Sequence, residues 1–296
     1  MAADSSPFPE RRDQRIRVGR LMLHVTDWGG HTTDDAIVLA HPTGFLGAVW
    51  RPLLARLRAL GVTSRLVTYD QRGHGLSSKP DDDYSWEHFL TDAVELLRAM
   101  GIRNALGVGH SAGATTLAGV AAAAPGLLRR VVMIDPVLFH PELARLMREI
   151  DENPMAARTR TRRVVWGSRE ELFRSYRGRE PYDTWTDEAL HAYVDEGTFE
   201  RPDGEIELLC PARIEAQVYS AAAGFDGFAK VAEAGVPLLF VRGERSTTFD
   251  EERARRAVEV ARNGRLVTVP ETTHFVPMEK PDEVARLVVA EHRAEA

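Results

Sequence analysis

The chain has 296 residues, 44% hydrophobic and 28% charged, with a net charge of −6, enough apolar material for one large packed domain. No stretch approaches the roughly 20 consecutive apolar residues that span a bilayer. The negative balance speaks against nucleic acid or an anionic membrane as partner. Cys210 is the only cysteine, so no intrachain disulfide can form and a reducing cytoplasm is the expected compartment.

Residues 1–14 are polar, with Pro7, Pro9, Arg11 and Arg12, lack the apolar centre of a secretory signal, and read as a disordered tail. Gln14–Val18 and Leu21–Asp27 alternate around Gly19, which predicts a hairpin. Ala36–Ala40 is a short continuous apolar run, as expected of a strand buried on both faces. Helical spacing follows from Val49 to Leu60, then a strand at Arg65–Tyr69 and a helix from Trp86 to Met100 with Ser85 as its N-cap. Val131–Ile134, Pro237–Val241 and Arg265–Val269 are further strands; Glu251–Arg262 and Pro281–His292 are helices. Strands alternating with helices predict a mostly parallel sheet covered on both faces. Residues 136–235 interrupt that rhythm with 13 Lys and Arg against 19 Asp and Glu, and the remainder is balanced at 25 of each. This segment reads as a helical lid inserted at the strands' carboxyl ends, between core segments 15–135 and 236–296. The run Arg158, Arg160, Arg162, Arg163 reads first as a solvated helix face paired with nearby acids, and second as an anion patch.

The chemistry concentrates at Gly109-His110-Ser111-Ala112-Gly113. An apolar strand precedes it and an alanine-rich helix follows, the context in which Gly-x-Ser-x-Gly forms a nucleophile elbow. The two glycines remove Cβ atoms that would collide where helix packs on strand. The turn presents the Ser111 hydroxyl and leaves the Ala112 N–H free for an oxyanion. A base is supplied by His274, which leaves a strand's carboxyl end on the same rim; His24, His74, His110 and His191 read as structural. His41-Pro42-Thr43-Gly44-Phe45 follows the Ala36–Ala40 strand. Pro42 has no N–H to give, so Thr43, then Gly44, is the second expected oxyanion donor.

These residues resemble the α/β-hydrolase superfamily, in particular its lid-bearing, esterase-like branch. The turn Asp70-Gln71-Arg72-Gly73-His74-Gly75-Leu76-Ser77 is similar to that family's Asp-x-Arg-Gly-x-Gly-x-Ser hallmark. The resemblance implies an eight-stranded α/β fold, and a serine at 111 sets the chain apart from members that attack with aspartate. It also implies an acid after the strand Pro237–Val241, but the matching position holds Ser246, which cannot carry the charge that stabilises an imidazolium. Some superfamily members place their acid one strand earlier, which points to Asp135 and keeps Asp250 and Glu244 as alternatives. Asp250 reads first as a helix N-cap.

The expected activity is hydrolysis of an ester, thioester or lactone through acyl-Ser111. Carbon–carbon bond hydrolysis, cofactor-free haloperoxidation and a receptor-like protein without turnover are the alternatives. Phe45, Trp166, Phe173, Tyr176, Trp185 and Phe275 are the expected substrate lining, joined by Tyr182 and Phe199, unless these aromatics hold the lid's own core. His140 is a weaker candidate for substrate contact. No metal or organic cofactor is implied, since Cys210 stands alone and the histidines are scattered. The expected partner is a small-molecule substrate, with monomer or homodimer equally compatible.

Overall fold

All five residues of Ala36–Ala40 are fully buried, because alternate side chains enter opposite faces of a sheet covered on both sides. Ile37 and Leu39 pack with Trp50, Leu53 and Val284, while Ala36, Val38 and Ala40 pack with Leu96, Leu117 and Phe240. Val131 to Ile134 and Leu238 to Val241 divide between the same two clusters with the same period of two. The computed structural model describes residues 8–30, 35–81, 83–150 and 153–294.

The strands are β1 (Arg12–Val18), β2 (Leu21–Asp27), β3 (Ala36–Ala40), β4 (Arg65–Tyr69), β5 (Ala105–His110), β6 (Leu128–Ile134), β7 (Leu238–Gly243) and β8 (Gly264–Val269). They form one sheet in the order β1-β2-β4-β3-β5-β6-β7-β8. The β1–β2 and β2–β4 pairs are antiparallel and the remaining pairs parallel. Helices Arg51–Ala59 and Pro281–Arg293 bury Leu53, Leu54, Val284 and Val288 on one face; Trp86–Ala99, Ala112–Ala123 and Glu251–Val260 cover the other. Among the described residues no helix is long and apolar enough to cross a membrane.

Four expectations need correction. Residues 8–14 are ordered: Phe8 is buried edge-on against Trp28 at 4.9 Å, and β1 begins at Arg12 because its pairing with β2 extends to Arg12–Asp27. Residues 1–7 lie outside the described residues. Ser85 does stand at its helix N-cap, but its side chain makes no capping bond and meets His88 Nδ1 at 2.9 Å instead. The segment between β6 and β7 holds a three-stranded antiparallel sheet (Val165–Trp166, Thr198–Glu200, Ile206–Leu208) as well as helices. Its last helix, Gly227–Glu233, buries Phe228 and Val231 in the cluster that holds Leu117 and Phe249, so it belongs to the packed core.

The hallmark turn is fastened to the sheet-covering helix by a buried ion pair. Arg72 Nε and Nη2 donate to the two Asp92 oxygens at 2.6 and 2.8 Å, and Nη1 donates to the Asp83 carbonyl at 2.9 Å. Removing one partner of such a pair strands the other charge. Asp92→Ala is therefore expected to lower unfolding stability by about 3–5 kcal/mol, read from urea denaturation; a loss below about 1 kcal/mol would show the pair to be dispensable.

Candidate active site

The strand–turn–helix at Ser111 is closed by what its neighbours lack. A Cβ at Gly109 would lie 2.4 Å from the Ala114 Cα, and one at Gly113 would lie 2.3 Å from the Ala40 carbonyl oxygen. Only glycine lets the helix Ala112–Ala123 approach β5 and β3 so closely. Ser111 itself sits at φ 56°, ψ −122°, a strained conformation for a residue with a Cβ. The Ser111 N–H is held by the Ile134 carbonyl at 2.9 Å, which ties the turn to the end of β6.

His274 meets the serine from the far end of the chain. Its Nε2 lies 3.0 Å from Ser111 Oγ, and its Nδ1 lies 2.7 Å from Asp135 Oδ1. A carboxylate beside Nδ1 fixes the proton there, leaving the Nε2 lone pair toward the hydroxyl. Asp135 is fully buried at φ 41° and receives two more donors: the Gly243 N–H at 3.0 Å and the Ser246 hydroxyl at 2.6 Å. Ser246 Oγ in turn accepts the Thr248 and Phe249 N–H groups at 3.2 and 3.3 Å. The serine at the family's usual acid position thus donates to the acid on the neighbouring strand. Neither alternative acid approaches the imidazole. Asp250 caps its helix, accepting the Arg253 N–H at 2.9 Å, and Glu244 accepts the Glu271 N–H at 2.9 Å.

The loop after β3 is braced by the hallmark turn. His74 Nε2 accepts the Gly44 N–H at 3.0 Å, Asp70 Oδ1 accepts the Gly47 N–H at 2.7 Å, and His41 Nε2 accepts the Gln71 N–H at 3.0 Å. Gly44 is therefore not a free donor, which corrects its expected place in the oxyanion hole. Among the described residues the Thr43 and Ala112 N–H groups make no hydrogen bond. Burial, with the neighbouring His41, holds the His74 pKa down to about 3, so it is a neutral acceptor. His110 is likewise kept neutral by burial and by His274 nearby; its Nε2–H donates to the His274 carbonyl at 2.8 Å. His74 and His110 are buried and bonded, so the reading of both as structural gains a content that spacing did not show: each holds a segment of the site.

Ser111, Thr43 and His274 open on a cavity of about 850 Å³ roofed by the segment between β6 and β7. Of the expected lining, Phe45, Tyr176, Tyr182 and Phe275 face it. Trp166 and Trp185 are buried but off its lining, Phe173 is stacked on His191 at 4.3 Å, and Phe199 is turned to solvent. His140 packs on Phe228. Sequence reasoning missed Trp86, Tyr219 and Glu215, and it read Arg162 as part of a solvated face. Arg162 is largely enclosed, with Nη2 2.8 Å from Glu215 Oε2. Burial raises the Glu215 pKa, and Arg162 opposes that rise. Arg162 lies past the end of the helix Pro154–Arg160, outside the expected helix face, and a polar residue such as Glu215 inside a helix carries no periodic mark that separates a cavity wall from a surface. Among the described residues no group of three or more His, Cys, Asp or Glu is placed to hold a metal.

The model of the alpha/beta hydrolase family matches residues 37–287. The chain is 29% identical over 289 residues to the 2-(acetamidomethylene)succinate hydrolase of Mesorhizobium japonicum, covering 95% of each chain. It is 23% identical over 242 residues to a bifunctional esterase/perhydrolase of Acinetobacter calcoaceticus, covering 76% of this chain and 80% of that one. A crystal structure of E-2-(acetamidomethylene)succinate hydrolase superposes with a TM-score of 0.83 at 25% identity, over 96% of this chain and all of the other. The enol-lactonase of Burkholderia xenovorans shares the fold at a TM-score of 0.70 and 22% identity, over 94% and 98% of the two chains. With the eight-stranded sheet and the serine elbow, these matches establish that the chain belongs to the alpha/beta hydrolase family.

Proposed function

We propose that this protein hydrolyses an ester or amide bond of a small molecule through an acyl-Ser111 intermediate, with the segment above the sheet acting as a lid. The observation that carries the reading is the continuous Ser111–His274–Asp135 hydrogen-bond chain opening into the cavity. His274 Nε2 takes the hydroxyl proton as Ser111 Oγ attacks the carbonyl carbon. The developing oxyanion lies on the Thr43 and Ala112 N–H groups, whose fixed dipoles need no reorganisation. Collapse breaks the bond to the leaving group, which departs with the proton from His274. Water then gives a proton to His274 and attacks the acyl carbon; the bond to Ser111 Oγ breaks, His274 returns the proton to that oxygen, and the acid is released. Asp135 holds the tautomer and stabilises the imidazolium formed in both halves.

Amides join the esters and lactones expected from the sequence because the relative matched along nearly its whole length is named for an acetamido compound, and esterase activity is named in another. The acid in place at Asp135 favours turnover over a receptor-like role. The single cysteine, buried and unpaired, accords with a reducing cytoplasm as the compartment.

Ser111→Ala is expected to lower kcat by roughly 10⁴ or more with an unchanged unfolding midpoint, and the wild type should be labelled at Ser111 by a fluorophosphonate. Near-normal turnover in the variant, or no labelling together with no turnover on a panel of esters and amides, would end this reading. Asp135→Asn should cost roughly 10²–10⁴ in kcat. Because Ser246 already touches Asp135, adding Ser246→Asp to Asp135→Asn should recover about ten-fold or more by returning a carboxylate to His274. A double variant no better than Asp135→Asn would show that position 246 cannot reach the imidazole. Ser246→Ala alone should lower kcat by about ten-fold with KM little changed, and Ser246→Thr should restore it; a KM effect or a failed rescue would reduce Ser246 to a packing residue.

A further inference from the structure

Five arginines line the cavity, against two carboxylates, Glu180 and Glu215. Three of the five are already matched: Arg162 with Glu215, Arg163 with Glu171 and Arg253 with Asp250. Arg158 and Arg179 have no carboxylate partner among the described residues. Arg179 is held by rings instead, its guanidinium 4.5 Å from the centre of Tyr176 and 5.9 Å from that of Trp166. Stacking fixes the plane of a guanidinium and leaves its N–H edge free for a planar, two-oxygen acceptor. Beside it, Arg162 gives one Nη2 hydrogen to the Cys210 carbonyl at 3.0 Å, while its Nε is buried without a partner. That Nε is sealed from the cavity as well as from water, so it is no donor to a ligand. Glu215 is no strong repellent for such an acceptor, since burial favours its neutral form and Arg162 faces it directly.

We propose that the site takes an acidic substrate: a small acyl compound whose carboxylate, remote from the scissile carbonyl, is received by the Arg179 guanidinium. This deepens the acyl-hydrolase reading and rests on it for the chemistry, but not for the binding. The reaction is unchanged in its bonds: acyl carbon to leaving group breaks, acyl carbon to water oxygen forms, and the remote carboxylate is a spectator that sets affinity. An apolar isostere in the same cavity offers the Arg179 guanidinium no acceptor.

The test uses monoethyl succinate and ethyl butyrate, which differ by a carboxylate in place of a methyl group. Binding is read by calorimetry on full-length Ser111→Ala protein, so that turnover is not needed. Monoethyl succinate is expected to bind at least about ten-fold more tightly than ethyl butyrate, more weakly in 0.5 M salt (roughly three times physiological ionic strength), and about ten-fold more weakly after Arg179→Gln, with Arg179→Lys recovering part of the loss. In otherwise wild-type protein, the kcat/KM ratio of the two esters should favour the acidic one by about ten-fold and fall toward one in Arg179→Gln. Equal binding of the two esters, or an acidic preference untouched by Arg179→Gln, overturns the proposal. Anion binding that depends on Arg179 without turnover of any ester or amide would uphold it and defeat the acyl-hydrolase reading instead.

Discussion

A carboxylate sealed from water has to be met by donors, because an unpaired buried charge costs several kcal/mol. Asp135 is such a group, and its donors come from three separate places: the end of β7 through Gly243, the following turn through Ser246, and the loop after β8 through His274. Satisfying one charge therefore fixes the spacing of two strand ends and the direction of the imidazole. Ser111 is drawn into the same arrangement, since its N–H is held by the carbonyl of the residue before Asp135. The substitution of serine for acid at 246 is intelligible in these terms. Two carboxylates at hydrogen-bonding distance would repel and one would stay protonated, whereas one carboxylate with a hydroxyl donor keeps a single negative charge facing His274.

The same constraint decides which imidazole can take a proton. His41, His74 and His110 are fully buried, and burial lowers the pKa of each. A neutral imidazole offers one donor and one acceptor, and the three are used that way, on the Gln71 N–H, the Gly44 N–H and the His274 carbonyl respectively. His110 lies 4.8 Å from His274, ring centre to ring centre. A charge on it would oppose imidazolium formation where the reaction needs it. Keeping the surrounding histidines neutral leaves the proton to travel between Ser111 and His274, beside the one carboxylate.

Much of this was legible in the sequence because it is local. A period of two through Ala36–Ala40 and a glycine on either side of His110-Ser111-Ala112 mark the strand and the elbow without knowledge of anything distant. The order of Ser111 and His274 along the chain, each after a strand, places them on one rim. What the sequence did not carry was pairing across the fold. Gly44 reads as a free donor until His74, 30 residues on, is seen to accept its N–H. Ser85 reads as a cap until His88 takes its hydroxyl. Trp166, Trp185, Tyr176 and Tyr182 have the same composition signal, and only the packing of the insertion's helices, turns and short strands keeps the first two off the cavity wall and puts the last two on it. The helix Gly227–Glu233 lies within the insertion in sequence yet packs with the core, because its apolar Phe228 and Val231 are buried there.

Charge shows the same separation between sum and place. Residues 136–235 carry a net −6, yet the part of them that roofs the cavity presents Arg158, Arg162, Arg163 and Arg179. Only Glu180 and Glu215 of that segment's described acids line the cavity with them, while others reach the core: Glu188 meets Arg56 and Glu196 meets Arg11 and Arg51, pinning the insertion in place. In water such outer pairs contribute little each and are screened by salt. Arg158 and Arg179, the two lining guanidiniums without a carboxylate partner among the described residues, are both exposed, so their pull on a substrate is felt at the cavity and screened by salt. An acidic total and a basic site are thus compatible, and it is the second that a ligand feels. In the proposed reaction the sheet supplies the proton transfer and the oxyanion donors, and the insertion would set the sign of the charge that enters.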